Sequence, residues 1–592
     1  MFGVPNDLVL HLTKERILIE ASDYAAGQHL MIDRDSCVVT HVNDPFPNHP
    51  IWDCETRRVH GLLGIIPMPS GPHLLVITER VLVGTLFEKK IFRLGTVDLI
   101  PVASDNRDRK QDDYCRRTVL NLLEQPYFYF SYEYHLTHSM ERISDVMGNV
   151  IKQIVNCNNL YGAADRRFVW NDALLSDWYQ PSMRIFCLPL MHGFISINML
   201  DPMLYPELRN HRPLGLVLIS RRSRERAGTR LFTRGIDTEG HVANFVETEQ
   251  IVVCGDLCIS YVQTRGSIPL FWTQSPNLRF RPVPKLEPYA DHLSACRQHL
   301  NDQCARYGSL LLVDLVDRSR ETDAELSKAY ESIVEQADNP DVEYTRKGLF
   351  DLVDSDYLNC YMGCIVRMFP FISNYRTQDC VIRTNCIDCI DRTNVFQSRV
   401  AVRVCARALF QLGIARDASD PLVTIFKRHC ETAWIENANV LSRQYTGSDA
   451  LKTDLTFRQS NSMLGYLRDA FNSFQRYQLN NFHDGVRQDA IDFFLRACII
   501  PGQRLRAPRI FPEPPPILRM AEWIALSSCL IGTGASLLIT QSYEKTRDNG
   551  SGGMLLILTY AYLAIKHPHL IVDMPQLEYR TLESAIEYKE SE

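Results

Sequence analysis

The feature that most constrains the fold of this chain is a run of 21 residues without a charged side chain, Trp523 to Tyr543 (WIALSSCLIGTGASLLITQSY). A helix of that length, rising about 1.5 Å per residue, crosses the roughly 30 Å hydrocarbon core of a bilayer. The alternative is a helix buried inside a soluble domain. We expect the membrane-spanning form.

A second apolar run, Gly550 to Ile565 (GSGGMLLILTYAYLAI), follows after the short polar stretch EKTRDN. Its 16 residues are marginal for a bilayer span, but Lys566 can lengthen it by extending its ammonium group towards the lipid headgroups. The small residues that would let two such helices pack closely are Gly532, Gly534, Ala535, Gly552 and Gly553. The two runs together predict a transmembrane helical hairpin.

Basic residues lie on the outer flanks of this hairpin, whereas the loop between the two runs carries two basic and two acidic side chains. The flanking residues are Arg504, Arg506, Arg509 and Arg519 before the first run, and Lys566, His567 and His569 after the second. This excess of positive charge predicts that both ends of the hairpin, and the large N-terminal part of the chain, face the cytosol.

The rest of the chain has the composition of a folded cytosolic protein. Its start, MFGVPNDLVLHLTKERILIE, has charged residues where a secretory signal would be uniformly apolar, and the 18 cysteines are therefore expected to be reduced thiols. The 64 basic and 70 acidic residues give a net charge of −6, which argues against nucleic-acid binding by overall charge. Any anion-binding site must be local.

At 592 residues, the chain exceeds what one hydrophobic core usually supports. Short apolar runs bounded by Gly, Pro and charged turns predict a β-rich unit at residues 30–102. From about Arg167, strand-like runs such as GSLLLVDLV alternate with helix-like runs such as TDAELSKAYESIVEQ, as in an α/β domain. The predicted division is a β-rich N-terminal part at 1–165, an α/β catalytic part at 166–500, a Pro- and Arg-rich linker at 501–520, a transmembrane hairpin at 521–572 (spans at about 523–543 and 550–566) and a cytosolic tail at 573–592.

The stretch RTNCIDCIDRTNVFQ, Arg383 to Gln397, concentrates two cysteines, two aspartates and two arginines in a short apolar frame. The run DCVIRTN has strand character, and RTNVFQSRVAVRVCARALFQLG has apolar or small residues at helical spacing up to Gly413. The residues between them therefore form a strand-to-helix loop. Because the N-terminus of a helix favours anions and lowers the pKa of a thiol, Cys386 is predicted to be a nucleophilic thiolate.

Cys386 and Arg392 are six positions apart, which is the spacing of a Cys-x5-Arg loop that curls around a phosphate. A guanidinium can hold two phosphate oxygens at once. Counting from Cys389 leads to Val395, so only Cys386 has an arginine at that distance. Two alternatives are a redox pair, which the neighbouring acidic residues would disfavour, and a zinc site, for which Cys360 and Cys364 are an unconvincing second pair.

These residues resemble the signature of the Sac-domain phosphoinositide phosphatases, which reads Cys-x-Asp-Cys-x-Asp-Arg-Thr-Asn after Arg-x-Asn. Every one of those positions is filled here. The resemblance extends to FVWN, SRRSRERAGTR, GHVANFVETEQ, RGSIPLFW and RYQLNNFHDGVRQDA, and reaches about residue 500. The C-terminal hairpin is similar to the membrane-anchored branch of that family in the endoplasmic reticulum and Golgi. A β-rich N-terminal domain, an α/β catalytic domain with the Cys-x5-Arg loop and a transmembrane hairpin are therefore the expected fold.

The resemblance implies a mechanism without metal or cofactor. Cys386 would attack the phosphorus, Arg392 and the loop amides would stabilise the charge, and water would hydrolyse the phosphocysteine. Asp388 or Asp391 would protonate the leaving oxygen, or would shape the loop instead. The remaining residues that the resemblance assigns to substrate binding are Arg383, Asn385, Ile387, Cys389, Ile390, Thr393 and Lys452. Cys389 is expected to be a packing residue or, by hypothesis, a disulfide partner of Cys386 under oxidation.

The implied substrate is a phosphoinositide in a membrane, with phosphatidylinositol 4-phosphate preferred and the 3-phosphate also accepted. The expected location is the endoplasmic reticulum membrane and also the Golgi, and the expected partners are this lipid and an anionic membrane surface, without nucleic acid. A non-catalytic phosphoinositide-binding adaptor is the alternative, which the intact Cys386 and Arg392 disfavour. Family members acting on doubly phosphorylated lipids are a narrower alternative, disfavoured by the hairpin.

Two further features bear on substrate binding. Asp449 stands where the family commonly has a glycine, and a carboxylate near a phosphate site would repel the substrate. A cluster of arginines could help to attract an anionic headgroup or leaflet, or could be a solvated hairpin face. Its members are Arg221, Arg222, Arg224, Arg226, Arg230 and Arg234.

Overall fold

The structure is a computed structural model. It describes residues 4–21, 29–42, 54–103, 109–143, 160–346, 365–368, 378–457, 462–497 and 572–577, apart from positions 177, 179, 181, 202, 204, 206–212, 256, 379 and 576. Cys360, Cys364, the linker at 501–520 and the two apolar runs at 523–543 and 550–566 lie outside the described residues. Within the described ranges, no helix is both long enough and apolar enough to cross a bilayer.

The N-terminal part contains two antiparallel sheets. Their strands are β1 (Leu8–Leu12), β2 (Arg16–Ala21), β3 (His29–Asp33), β4 (Val39–Val42), β5 (Glu55–Val59), β6 (Leu62–Met68), β7 (Gly71–Ile77) and β10 (Val97–Pro101). The strand orders are β4-β3-β2-β1-β5 and β10-β7-β6. Leu8 and Leu10 of β1 are buried, as are Ile17 and Ile19 of β2, because alternate side chains of a strand face the same side. The predicted β-rich start is confirmed.

A large mixed sheet follows. Its strands are β8 (Arg80–Leu86), β9 (Lys89–Leu94), β11 (Phe128–Phe130), β12 (Met191–Met199), β13 (Leu214–Arg222), β14 (Val246–Cys254), β15 (Leu257–Arg265), β18 (Ser309–Asp314), β19 (Val342–Thr345), β20 (Ile365–Met368) and β21 (Cys380–Asn385). The order is β19-β18-β21-β15-β14-β13-β12-β11-β9-β8, with β20 beside β15. Strands from both sides of position 165 share this sheet, so the predicted division there is not a boundary between sheets. A short hairpin joins β16 (Trp272–Thr273) to β17 (Lys285–Leu286).

The described helices are α1 (Arg109–Leu123), α2 (His292–Tyr307), α3 (Glu321–Ala337), α4 (Asp391–Gln411), α5 (Pro421–Thr446), α6 (Asp454–Phe457), α7 (Met463–Phe482) and α8 (Asp484–Phe494). One core packs α4 and α5 against the large sheet through residues such as Val404 and Trp434. The core on the other side contains Leu300 of α2 and Tyr330 of α3. The predicted α/β arrangement is therefore confirmed.

The strand-loop-helix prediction also agrees with the structure. β21 pairs in parallel with β18 and with β15, so that Asn385, Asp314 and Arg265 lie near the same edge of the sheet. α4 begins at Asp391 directly after the loop. After α4, Gly413 has a φ of 67°, a left-handed conformation that glycine adopts without strain. This arrangement places residues 386–390 at the carboxyl edge of the parallel strands.

The expectation of a solvated or lipid-facing arginine cluster is wrong for three of its members, Arg221, Arg222 and Arg234, which are buried. Arg221 donates to Glu247 at 3.0 Å and to Glu249 at 2.7 Å. The side chains of Arg221 and of both glutamates are fully buried. Arg221 on β13 is directly opposite Glu247 on the neighbouring strand β14, and Glu249 lies two residues further along β14. A buried arginine is stable here because two carboxylates neutralise it.

Replacement of Arg221 by Met is therefore expected to lower the free energy of unfolding by about 3–5 kcal/mol, because it leaves Glu249 buried without its cation and leaves Glu247 with Arg142 but without Arg221. Arg224→Met is the control, since Arg224 is partly exposed and ion-paired to Asp172. The free energy of unfolding of Arg224→Met should fall by about 1 kcal/mol or less. Thermal unfolding of the two variants measures the difference, and equal destabilisation would contradict this account of the buried pair.

Candidate active site

Cys386 is the first residue after β21, and only 6% of its surface is exposed. Thr393, in the first turn of α4, directs its hydroxyl towards the sulfur, with Oγ1 at 3.5 Å from Sγ. The thiol therefore lies between the end of a parallel strand and the N-terminus of a helix, where the helix dipole favours an anion.

The surroundings of Cys386 favour its thiolate. The Cys389 thiol contributes most to this, followed by the Thr393 hydroxyl and the positive charge of Arg392. Burial and the Asp388 carboxylate act in the opposite direction. The net effect lowers the pKa of Cys386 to about 6, so that the sulfur is mainly anionic at neutral pH.

Cys389 has a different environment. Its φ of 52° turns the chain sharply, and its Sγ lies 2.8 Å from the carbonyl oxygen of Gly266 and 3.1 Å from that of Cys386. Burial, together with the adjacent Cys386, raises its pKa well above the usual thiol value. Cys389 thus remains a neutral donor that packs the loop onto the end of β15. Its oxidation to a disulfide with Cys386 stays a prediction.

The Arg392 guanidinium points towards the loop that follows β18. Nη1 donates to the carbonyl oxygen of Leu315 at 3.0 Å, and Nη2 lies 3.1 Å from Asp317 Oδ2. About a third of each side chain of this ion pair is exposed (33% and 37%). Among the described hydrogen bonds of Arg392, none reaches Cys386. In this structure the Arg392 guanidinium, which the resemblance assigns to the substrate phosphate, is therefore paired with the Asp317 carboxylate.

Asp388 is held by two arginines from the segment after β13. Its Oδ1 accepts from Arg230 Nε at 2.9 Å and from Arg234 Nη2 at 2.7 Å. Burial alone would raise the pKa of Asp388, but the charges and hydrogen bonds of the two arginines lower it far below the ordinary range. Arg234 also donates to the Ile387 carbonyl oxygen at 3.1 Å. These contacts fix the turn of the loop after Cys386.

Asp391 is held from the other side of the loop. Its Oδ2 accepts from Arg476 Nη1 of α7 at 2.8 Å, and its Oδ1 accepts from the Leu451 backbone N–H at 2.7 Å. The 447–453 segment therefore packs directly against the loop. The contacts of Asp388 and Asp391 are those expected of loop-shaping acceptors, and an acid role for either stays a prediction.

The 447–453 segment carries two residues singled out by the sequence. The side chain of Lys452 is exposed, while its backbone N–H binds Asp469 at 3.1 Å. Asp449 forms an ion pair with Arg443, which offsets the negative charge that would otherwise repel a phosphate. A substrate contact by Lys452 stays a prediction.

Other predicted substrate-binding residues lie beneath the loop. Arg383 is fully buried, and its guanidinium donates to His299 Nε2 at 3.1 Å, to Asn385 Oδ1 at 2.9 Å and to the Ser267 carbonyl oxygen at 2.9 Å. Ile390 is also fully buried. These positions support the loop from behind, so in this structure they do not present side chains to a ligand at the surface.

Arg265, at the end of β15, is a site residue to which sequence reasoning assigned no role. It is buried, and its Nη1 hydrogen-bonds Asn394 of α4. Its Nε and Nη2 have no hydrogen-bond partner among the described residues. Burial lowers the pKa of Arg265 to about 10, although the nearby anionic sulfur of Cys386 counteracts this. The RGSIPLFW stretch contains Arg265, but only the parallel pairing of β15 with β21 shows that it lies near the loop.

Comparisons with known proteins show what the chain is similar to. Residues 60–354 match the SacI homology domain. The phosphatidylinositol-3-phosphatase SAC1 of Drosophila melanogaster is 37% identical, with 91% of this chain and 91% of that protein covered. SAC1-B of Danio rerio, also named a phosphatidylinositol-3-phosphatase, is 33% identical with 94% and 97% covered. The phosphoinositide phosphatase SAC8 of Arabidopsis thaliana is 35% identical with 73% and 74% covered.

Alkylation of Cys386 by iodoacetamide should accelerate as the pH rises through about 6, because the thiolate is the reactive form. In Cys389→Ala the rise should occur at higher pH, since the Cys389 thiol is the largest influence that lowers this pKa. Mass spectrometry of the Cys386 peptide across a pH series measures both. A midpoint near the ordinary thiol value of about 8.5 in the unsubstituted protein would contradict the assignment.

Proposed function

The chain belongs to the Sac-domain phosphoinositide phosphatases, and we propose that it hydrolyses phosphatidylinositol 4-phosphate, and also the 3-phosphate, through a phosphocysteine on Cys386. The observation that carries the proposal is the environment of the Cys386 thiol. It stands before the first turn of α4, with Thr393 and Arg392 in that turn and a pKa near 6. The preference for the 4-phosphate rests on the resemblance to the membrane-anchored branch.

In the first step the Cys386 thiolate attacks the phosphorus in line with the inositol oxygen. A phosphorus–sulfur bond forms, the phosphorus–oxygen bond breaks, and a proton is delivered to the departing inositol oxygen, which leaves as a hydroxyl group. Water then attacks the phosphocysteine, which releases inorganic phosphate and regenerates the thiolate. The helix N-terminus supplies backbone N–H groups to the phosphoryl oxygens throughout.

Arg392 must exchange its partner for this step to be stabilised. Its ion pair with Asp317 is partly exposed, and such pairs contribute about 0.2–1 kcal/mol. A phosphate dianion can accept two parallel hydrogen bonds from the same guanidinium, which is a stronger interaction. We propose that the substrate phosphate displaces Asp317 from Arg392 when it enters the loop.

The proton for the leaving group has three candidate sources. Asp388 is paired with Arg230 and Arg234, which lower its pKa and leave it unsuited to donate, and Asp391 is paired with Arg476. Asp323, near the start of α3, is less strongly neutralised. Burial raises its pKa, although Arg320 and Arg392 oppose this, and Asp388 and Asp317 raise it further. The pKa of Asp323 is thus shifted in the direction expected of an acid, opposite to the shift of Asp388.

The membrane hairpin belongs to the same proposal. We propose that the apolar runs at 523–543 and 550–566 anchor the chain in the endoplasmic reticulum membrane, and also in Golgi membranes, with the catalytic part in the cytosol. The support for this is the length of the uncharged runs and the basic residues on their outer flanks.

The first experiment is phosphate release by the full chain from vesicles containing phosphatidylinositol 4-phosphate. Cys386→Ser should reduce the rate by about 10³-fold or more, because an un-ionised hydroxyl replaces the thiolate nucleophile. Cys304→Ser, at a half-exposed cysteine of α2, is the control and should retain the full rate. Equal release by Cys386→Ser and the control would defeat the covalent mechanism, and binding without release by the unsubstituted protein would favour the adaptor.

A second experiment addresses Arg392. Arg392→Lys should lower kcat by about 10²-fold or more, because an ammonium group cannot donate in the same bidentate geometry. Asp317→Asn should instead strengthen inhibition by vanadate, by up to about fivefold, since it removes the competing carboxylate. Asp302→Asn, in the comparably exposed Arg306 pair, is the matched control. Weaker vanadate inhibition in Asp317→Asn would contradict the exchange of partners.

A further inference from the structure

Helix α7 buries polar side chains and exposes large apolar ones, which is the reverse of the usual pattern for a helix on the surface of a soluble protein. The side chains that it buries against the protein are polar: Asn472, Arg476 and Asn480 are at most 6% exposed. Its exposed face is apolar and comprises Met463, Leu464, Tyr466, Leu467, Phe471 and Phe474, each 59–82% exposed. At about 100° per residue, these six side chains fall within an arc of about 160°. A continuous apolar strip thus faces away from the protein.

A second exposed segment lies beside α7. It joins β16 to β17 and continues to Tyr289, and we call residues 279–289 the strap. Phe280 of the strap stacks on Tyr477 of α7 with ring centroids 6.2 Å apart, and the Tyr477 hydroxyl donates to the Leu278 carbonyl oxygen at 2.9 Å. The exposed apolar side chains of the strap are Phe280, Val283, Leu286 and Tyr289. Its exposed charged residues are the cations Arg279, Arg281 and Lys285 and one carboxylate, Glu287, so that cations predominate among the apolar side chains.

Both elements are tied to the catalytic loop by their inner sides. Arg476 of α7 binds Asp391 at 2.8 Å. Gln274, which precedes the strap, hydrogen-bonds Arg234, and Arg234 binds Asp388 at 2.7 Å. The two carboxylates that shape the loop are therefore connected to the two elements that carry exposed apolar side chains. A surface that meets the strip and the strap is therefore connected to the loop of Cys386 through these hydrogen bonds.

The chain itself limits how far this surface can be from a bilayer. Asp573 N–H donates to the carbonyl oxygen of Asn481, at the end of α7, at 2.7 Å. Only six residues separate Ile565, the end of the second apolar run, from Val572. At full extension they span at most about 25 Å. If the second run is a membrane span, the end of α7 stays within that distance of the lipid headgroups.

We propose that the apolar strip of α7 and the strap form an interfacial docking surface that inserts into the lipid leaflet containing the substrate. Exposed aromatic and aliphatic side chains interleaved with cations fit the boundary between headgroups and acyl chains of an anionic leaflet. The proposal rests on the proposed function, because it takes the substrate to be a membrane lipid. It adds that the protein recognises the bilayer next to the headgroup as well as the headgroup itself.

The direct test is lipid labelling of the full chain reconstituted in vesicles of phosphatidylcholine, phosphatidylserine and phosphatidylinositol 4-phosphate. A fraction of the lipids carries a diazirine on the acyl chain close to the glycerol. After irradiation and digestion, mass spectrometry should find the label on peptides of α7 and of the strap. Absence of label from both, with label present elsewhere on the chain, would overturn the proposal.

The functional test compares two variants. Leu467→Ser/Phe471→Ser removes two exposed side chains of the strip, and Val81→Ser/Leu82→Ser removes two exposed side chains of β8 (43% and 54% exposed) as a matched control. The α7 variant should lower hydrolysis of vesicle-borne substrate at least about tenfold relative to the control. Hydrolysis of a water-soluble, short-chain phosphatidylinositol 4-phosphate should stay equal in both.

The outcomes separate the two proposals. Equal rates of both variants on vesicles would overturn the docking surface, as would photo-crosslinks that join α7 to residues 523–565 or to a second copy of the chain. Failure of the unsubstituted protein to hydrolyse either the vesicle-borne or the soluble substrate would overturn the proposed function, and the lipid labelling of α7 would then decide the docking surface alone.

Discussion

Two ion-pair systems fix the shape of the loop around Cys386. Asp388 binds Arg230 and Arg234, and Asp391 binds Arg476. A five-residue turn between a strand and a helix has little internal structure of its own, so these arginines, which come from distant parts of the chain, determine where its backbone N–H groups point. The same contacts pair the two carboxylates with cations, so that their negative charge is offset next to the loop. Within the loop so held, the Cys389 thiol and the Thr393 hydroxyl lower the pKa of the Cys386 thiol.

The sequence was sufficient for the local structure of the site. Strand character before Asn385 and helical spacing up to Gly413 correspond to β21 and α4, because both signals arise from residues close together in the chain. The spacing of Cys386 and Arg392 is likewise local. The partner of Arg392 could not be predicted, since Asp317 comes from the loop after β18 and reaches the site only through the parallel pairing of β18 with β21.

The arginine cluster shows the limit of composition as a guide. Six arginines between positions 221 and 234 suggested a solvated or lipid-facing patch, yet Arg221 is neutralised by Glu247 and Glu249, which lie on the neighbouring strand. Cross-strand partners cannot be found without the register. The apolar face of α7 was also missed, because an amphipathic pattern in a sequence does not reveal which side of the helix is buried. In α7 the polar side binds the catalytic loop through Arg476, and the apolar side is exposed.

The central claim is that Cys386 carries the phosphoryl group during turnover. Rapid acid quenching of the full chain with radiolabelled phosphatidylinositol 4-phosphate in vesicles, followed by peptide mapping, tests it most directly. The account predicts a phosphoryl group on the sulfur of Cys386, formed and lost at rates consistent with turnover. Release of phosphate with no labelled Cys386 at any time, or with the label on another residue, would contradict it.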